Sequence, residues 1–153
     1  MMKVIVHCSD STFGNAVMID IWHAERGFRN TDGIHIGYHY VILNGQLTSK
    51  KYNKYIDGVV ETGRALDDDD KFEYDERAAA TLGHNDAVQI CLIGKSGLFT
   101  SVQIMNLRFK IKQLREQFGK IEVHQHSDFA NNKPYCAGLS LELMKEFNIV
   151  DIH

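Results

Sequence analysis

Residues 123–138 read VHQHSDFANNKPYCAG and crowd two histidines, an aspartate, a lysine and a cysteine into one short stretch. Imidazole nitrogen and thiolate sulfur are preferred zinc donors, and a catalytic zinc takes three protein ligands while keeping a fourth position for water. His124, His126 and Cys136 form one candidate set, because residues i and i+2 of a strand point to the same face. A second set replaces His124 with His7, which ends a buried strand and can reach a cleft at the sheet edge. Residue types and spacing leave both sets open, and for each histidine the alternative is a hydrogen-bonded structural role.

These side chains must be carried by regular elements. Val4–Val6 is a continuous β-branched apolar run and predicts a buried strand leading into His7. NAVMIDIWHAERG predicts a helix, with Val17, Ile21 and Ala24 at helical spacing and Gly27 as its stop. Ile36–Leu43 predicts a second strand, followed by turns at Asn44–Gly45 and at Asp57–Gly58. Ala87–Gly94 is a third apolar strand. NLRFKIKQLREQFGK predicts the clearest helix, striped by Leu107, Ile111, Leu114 and Phe118, with Gly119 past its end. KIEV returns as a strand and LSLELMKEF closes as a helix. Strands alternating with helices imply an α/β domain around a mostly buried sheet.

Composition removes several functions. The 153 residues suit one domain, and 44% hydrophobic against 24% charged content can bury a core. A formal net charge of −3 without a basic block argues against nucleic acid as a partner. No apolar run is long enough for membrane insertion, and the start MMKVIVHCSD is too short in apolar residues for an export signal. A cytosolic product is therefore expected. Cys8, Cys91 and Cys136 are widely spaced and odd in number, which reads as free thiols, with Cys91 a small core residue. The acid run Leu66–Lys71 reads as a solvated loop, since it lacks the spaced ligands and turn glycine of a calcium loop.

Five segments occur in a telling order: IVHCSDS (5–11), IGYHYVI (36–42), DGVVETGRA (57–65), GHNDAVQICLIG (83–94) and HSDFANNKPYC (126–136). Together they resemble the zinc-dependent N-acetylmuramoyl-L-alanine amidases of the type 2 amidase and peptidoglycan-recognition-protein superfamily. Within it, the segments resemble the small phage amidases called T-odd coliphage lysozymes. The resemblance spans nearly the whole chain. It implies a single domain over residues 1–153, with a central mixed β-sheet flanked by α-helices.

The resemblance also implies a Zn2+ site of His7, His126 and Cys136, with Asp128 following the late histidine as the family's acidic residue does. His124 then falls where the family has no ligand, and Cys8 is a non-ligand neighbour. Tyr38, in GYH, matches a catalytic tyrosine. Lys133 matches a catalytic lysine, although it stands three residues before Cys136 where the family has two, with Pro134 and Tyr135 filling the gap. Asn44–Ile56 is an apparent insertion, basic and tyrosine-containing. It either extends a hairpin along the substrate groove or elaborates the surface.

The function so implied is hydrolysis of the amide between N-acetylmuramic acid and L-alanine, with peptidoglycan as the partner of an expected monomer. A phage endolysin would be made in the host cytoplasm and reach the periplasm after holin-mediated release. Two other readings share the fold: a cytosolic amidase that recycles muropeptides, and a non-catalytic peptidoglycan-binding protein. Binding-only relatives tend to lose the cysteine ligand, so Cys136 favours an enzyme.

Overall fold

The computed structural model describes residues 1–81 and 83–149. Five strands form one sheet: β1 (Met2–Cys8), β2 (Tyr40–Thr48), β3 (Lys51–Thr62), β4 (Val88–Leu92) and β5 (Ile121–Gln125), in the order β3-β2-β4-β1-β5. β1 pairs in parallel with both β4 and β5, β2 is parallel to β4, and β2 and β3 are antiparallel. The sheet is therefore mixed, and helices α1 (Ala16–Glu25), α2 (Ser101–Phe118) and α3 (Leu141–Asn148) flank it.

The parallel centre is covered on both faces, which is why Val4–Val6 and Val88–Leu92 are apolar almost without interruption. On one face, Val4, Val6, Ile90 and Ile42 pack with Leu107, Ile111 and Leu114 of α2. On the other, Val41, Cys91 and Ile93 pack with Ile19 of α1. Each fully buried Leu or Ile contributes roughly 1.5–3 kcal/mol. Truncating Leu107 at the centre of the α2 seam would cost about 2–5 kcal/mol. Among the described residues, no helix is long and apolar enough to cross a membrane.

Three sequence expectations need correction. First, Val17 and Ile21 are 67% and 52% exposed, and Ala24 is exposed too. The buried line of α1 is instead Ile19 and His23, one turn apart. A histidine in the buried stripe disguised the true face. Second, α2 begins at Ser101, five residues before the expected Asn106, capped by Thr100 in a capping box with Gln103. Gln103 is fully buried and donates to the carbonyls of Ile42 (3.0 Å) and Ile93 (2.8 Å), so its polarity hid the first turn.

Third, Asn44–Gly45 and Asp57–Gly58 are not turns. Both pairs lie inside the long β2–β3 hairpin, whose register shifts between Ile42 and Thr48. Gly45 (φ 89°) and Gly58 (φ 80°) supply the left-handed conformations that bulges use, so the turn-like signal marked irregular strand. The segment Asn44–Ile56 is thus an antiparallel ribbon running beyond the sheet, since β2 has no partner in β4 past Ile42.

Candidate metal centre

β1 ends at the site. His7 is 1% exposed and lies in register with Cys91 of β4. Its Nε2 is 2.6 Å from Oε1 of Gln89, and Thr81 Oγ1 donates to the same oxygen at 2.8 Å. The Gln89 amide orientation is set by its Nε2, which donates to the His84 carbonyl at 2.9 Å. Oε1 must then accept, so His7 carries its proton on Nε2 and keeps the Nδ1 lone pair free. Burial, followed by the neighbouring His126, lowers the His7 pKa to about 3, and the ring is neutral at pH 7.

His126 and Cys136 come from the loop after β5. That strand stops at Gln125, and His126–Asp128 form a single 3-10 turn. The turn swings His126 toward His7, with ring centroids 4.4 Å apart. Ser127 N–H donates to the Cys136 carbonyl at 2.6 Å, which ties the two ends of the loop together. The donor atoms of His7, His126 and Cys136 all lie within 4.8 Å of one another. Two neutral imidazoles and a thiol at that spacing fit zinc. Cys8 N–H points at Cys136 Sγ from 3.1 Å and would stabilise a thiolate there. The side-chain contact between the two cysteines lowers Cys8 to about 7 and raises Cys136. A cation held among the three donors would draw that negative charge to Cys136 instead.

The cluster opens into a cleft of about 770 Å³. Tyr38, Lys133 and His23 line it with His126 and Cys136, while His7 lies behind them, buried. Tyr38 stands 4.8 Å from His7, centroid to centroid. Its placement depends on Gly63, where a Cβ would come within 2.3 Å of the Tyr38 carbonyl, so only glycine fits. Buried Arg64 then fastens the approach to Tyr38 by donating to the carbonyls of Ile36 (2.7 Å) and Arg29 (2.6 Å). Burial, then the nearby thiols, raises the Tyr38 pKa well above the ordinary range, so its hydroxyl stays protonated. Lys133 is exposed and lines the same cleft. Two successive bonds, Lys133 N–H to Ala130 O and Cys136 N–H to Lys133 O, fold the loop into consecutive turns. After burial, the Lys133 ammonium is the main cause of a lowered His126 pKa.

Three residues escaped the sequence reading. Gln89 and Thr81 orient His7, yet Gln89 sits in an otherwise apolar strand and Thr81 in an irregular loop. His23 accepts a hydrogen bond from Gly37 N–H at Nδ1 (2.8 Å) and stacks on Phe28, 4.0 Å between centroids. Its presence on the buried side of α1 was the available signal.

His124 is not part of the cluster. The strand ends before His126, so the two histidines do not share a strand face, and His124 packs instead against Phe129. Asp128, the acidic residue that follows His126, lies 3.5 Å from His124 Nδ1 and accepts from Gln125 N–H. The acid run 67–70 is exposed, and Asp67 joins Glu73 and buried Glu76 in a second acidic group. Glu76 is already occupied there by the backbone N–H groups of Asp67 and Glu73. A larger, mainly apolar groove of about 910 Å³ runs along β5 and α3 and includes none of the three clustered ligands.

No family model and no curated protein matches the chain in sequence. Solved structures do match its fold. The N-acetylmuramoyl-L-alanine amidase LysC from Clostridium intestinale URNW aligns over 97% of this chain and 85% of its own, with a TM-score of 0.71 and 19% identity. Drosophila PGRP-LB aligns over 99% and 84%, with a TM-score of 0.63 and 19% identity. Peptidoglycan recognition protein-LE in complex with tracheal cytotoxin, a monomeric diaminopimelic acid-type peptidoglycan, aligns over 99% and 82%, with a TM-score of 0.61 and 14% identity. The chain thus has the fold shared by these amidases and recognition proteins.

Proposed function

We propose that the protein is a zinc-dependent N-acetylmuramoyl-L-alanine amidase that cleaves the bond between the lactyl group of N-acetylmuramic acid and L-alanine. The observation that carries this reading is the convergence of His7, His126 and Cys136 donors at the edge of a cleft lined by His126, Cys136, Tyr38 and Lys133. Those three residues would hold zinc, which when bound would supply Lewis acidity to the scissile carbonyl and to water.

The chain's own residues divide the remaining work. Gln89 holds His7 in the tautomer that offers Nδ1. An amide under attack develops an oxyanion, and preorganised donors aimed at that charge are worth more in a cleft than in water. The Tyr38 hydroxyl, protonated at all working pH values, is one such donor. The Lys133 ammonium is the second, and its exposure lets its long stem follow the substrate. The context we infer is a phage endolysin acting on periplasmic peptidoglycan after holin-mediated release.

Digestion of purified sacculi tests the reaction. New L-alanine amino termini are expected by mass analysis, with loss of activity on chelation and recovery with zinc. New reducing sugars would identify a glycosidase. Binding without any cleavage would identify a recognition protein, and full activity in verified metal-free protein would overturn the zinc mechanism.

A further inference from the structure

The ribbon built by the outer parts of β2 and β3 has no role in the cleft. Between Asn44 and Ile56 it carries Lys50, Lys51 and Lys54 and no acidic residue, in a chain whose net charge is −3. Its aromatic residues are turned outward: Tyr55 is 82% exposed and Tyr52 54%. A free two-stranded ribbon is marginally stable in water, so exposed aromatics on it call for a reason.

Tyr52 is held rigidly for an exposed residue. One side of its ring lies so close to Gly45 that a Cβ there would sit 2.6 Å from Cε1. Its hydroxyl donates to Asp57 Oδ2 at 2.6 Å, and Thr100, the cap of α2, donates to the other Asp57 oxygen at 2.6 Å. The ring is thereby fixed to the body of the protein with its outer side bare. The Lys54 ammonium stands 5.3 Å from the Tyr55 ring centre. The ribbon root is braced on the other side by Gly14 N–H to Gln46 O (2.9 Å) and Asn44 Nδ2 to the Thr12 carbonyl (3.0 Å). That 12–14 segment continues directly from Ser9 and Asp10, which line the cleft.

We infer that the Asn44–Ile56 ribbon is a second contact for the peptidoglycan polymer, outside the catalytic cleft. This inference rests on the proposed amidase reading for its choice of partner. Peptidoglycan has two features that match the ribbon. Its sugar rings present flat C–H faces that stack on aromatic rings, and its stem peptides carry free carboxylates that pair with ammonium groups. A polymer cleaved in the cleft necessarily extends beyond it. A ring held in advance, as Tyr52 is, loses little freedom on binding, which makes a small contact effective.

The test uses the triple variant Lys50→Gln, Lys51→Gln, Lys54→Gln and, separately, Tyr52→Ala with Tyr55→Ala. Co-sedimentation with sacculi on ice measures binding, and cleavage of a soluble muramoyl peptide reads the cleft alone. Wild-type binding should weaken as salt rises. The lysine variant should bind about tenfold more weakly at low salt, with a flattened salt dependence. The tyrosine variant should lose binding at every salt concentration, and both should cleave the soluble peptide normally. Sacculus binding equal to wild type in both variants would overturn the inference. So would ribbon-dependent binding to phosphatidylglycerol vesicles but not to sacculi, which would make a lipid surface the partner. If wild-type protein cleaves neither substrate, the amidase reading fails, while co-sedimentation still reports on the ribbon.

Discussion

Gln89 Oε1 lies 2.6 Å from His7 Nε2, and this bond decides which nitrogen of the ring faces the cleft cluster. The bond is itself held, by Thr81 on the shared oxygen and by the His84 carbonyl on the amide nitrogen. Such outer partners typically tune metal affinity by about 10- to 100-fold. Gln89→Met keeps the volume and removes the acceptor. It should lower zinc affinity by about that factor, measured by competition with a chromophoric chelator, while far-UV circular dichroism stays unchanged. Gln89→Glu, which still accepts, should retain zinc. In metal-free wild-type protein, nitrogen-15 NMR should find the His7 proton on Nε2, and a proton on Nδ1 would contradict the arrangement.

The two candidate ligand sets make opposite demands on His7 and His124. His7→Ala should leave folded protein with little zinc, because it removes one of three converging donors. His124→Ala should keep zinc, because that ring packs with Phe129 and lies beside Asp128. Metal content per folded chain reads the difference directly. Zinc loss in His124→Ala alone would restore the HxH chelate.

Two buried histidines outside the cluster make stability depend on pH. His23 Nδ1 accepts from Gly37 N–H at 2.8 Å, and His39 Nδ1 accepts from Gln89 N–H at 3.0 Å. Protonating either nitrogen would set one N–H against another. Burial is the largest cause in both, and both pKa values fall from 6.5 to about 4. A lowered folded pKa means that the unfolded chain binds the proton first. The stabilisation is therefore complete above about pH 6.5 and drains away as pH falls toward 4. Urea unfolding of metal-free protein should show a loss of several kcal/mol, roughly, across that window. His39→Gln should shallow the slope, and a flat profile would refute the tautomer assignment.

The core strands were legible because parallel strands buried on both faces are continuous apolar runs, as at Val4–Val6. Residue chemistry drew attention to the 123–138 loop, but choosing between His7 and His124 needed the resemblance, because bonding across the sheet leaves no local trace. Legibility failed where polar side chains occupy buried positions. Gln103 concealed the start of α2 and His23 the inner face of α1, each satisfied by partners distant in sequence. Glycine pairs that signal turns marked bulges instead, since a left-handed φ is common to both.

Lys133 offers the sharpest test of the proposed chemistry. The resemblance to the type 2 amidases implies that the Lys133 loop carries one residue more than usual before Cys136. The loop folds into consecutive turns, from Ala130 to Lys133 and from Lys133 to Cys136. The ammonium therefore remains on the cleft wall, near enough to depress His126. Removing one oxyanion-stabilising donor typically costs about a hundred- to a thousandfold in turnover. Lys133→Ala should lose that much sacculus hydrolysis while keeping zinc, fold and sacculus binding. Tyr38→Phe should show a comparable loss, since its hydroxyl is the other protonated donor beside His7. Lys133→Arg keeps the charge on a planar head of different reach and should recover only part of the rate. A loss below roughly threefold in Lys133→Ala, against the hundredfold expected, would remove the lysine from the mechanism and leave Tyr38 to meet the oxyanion alone.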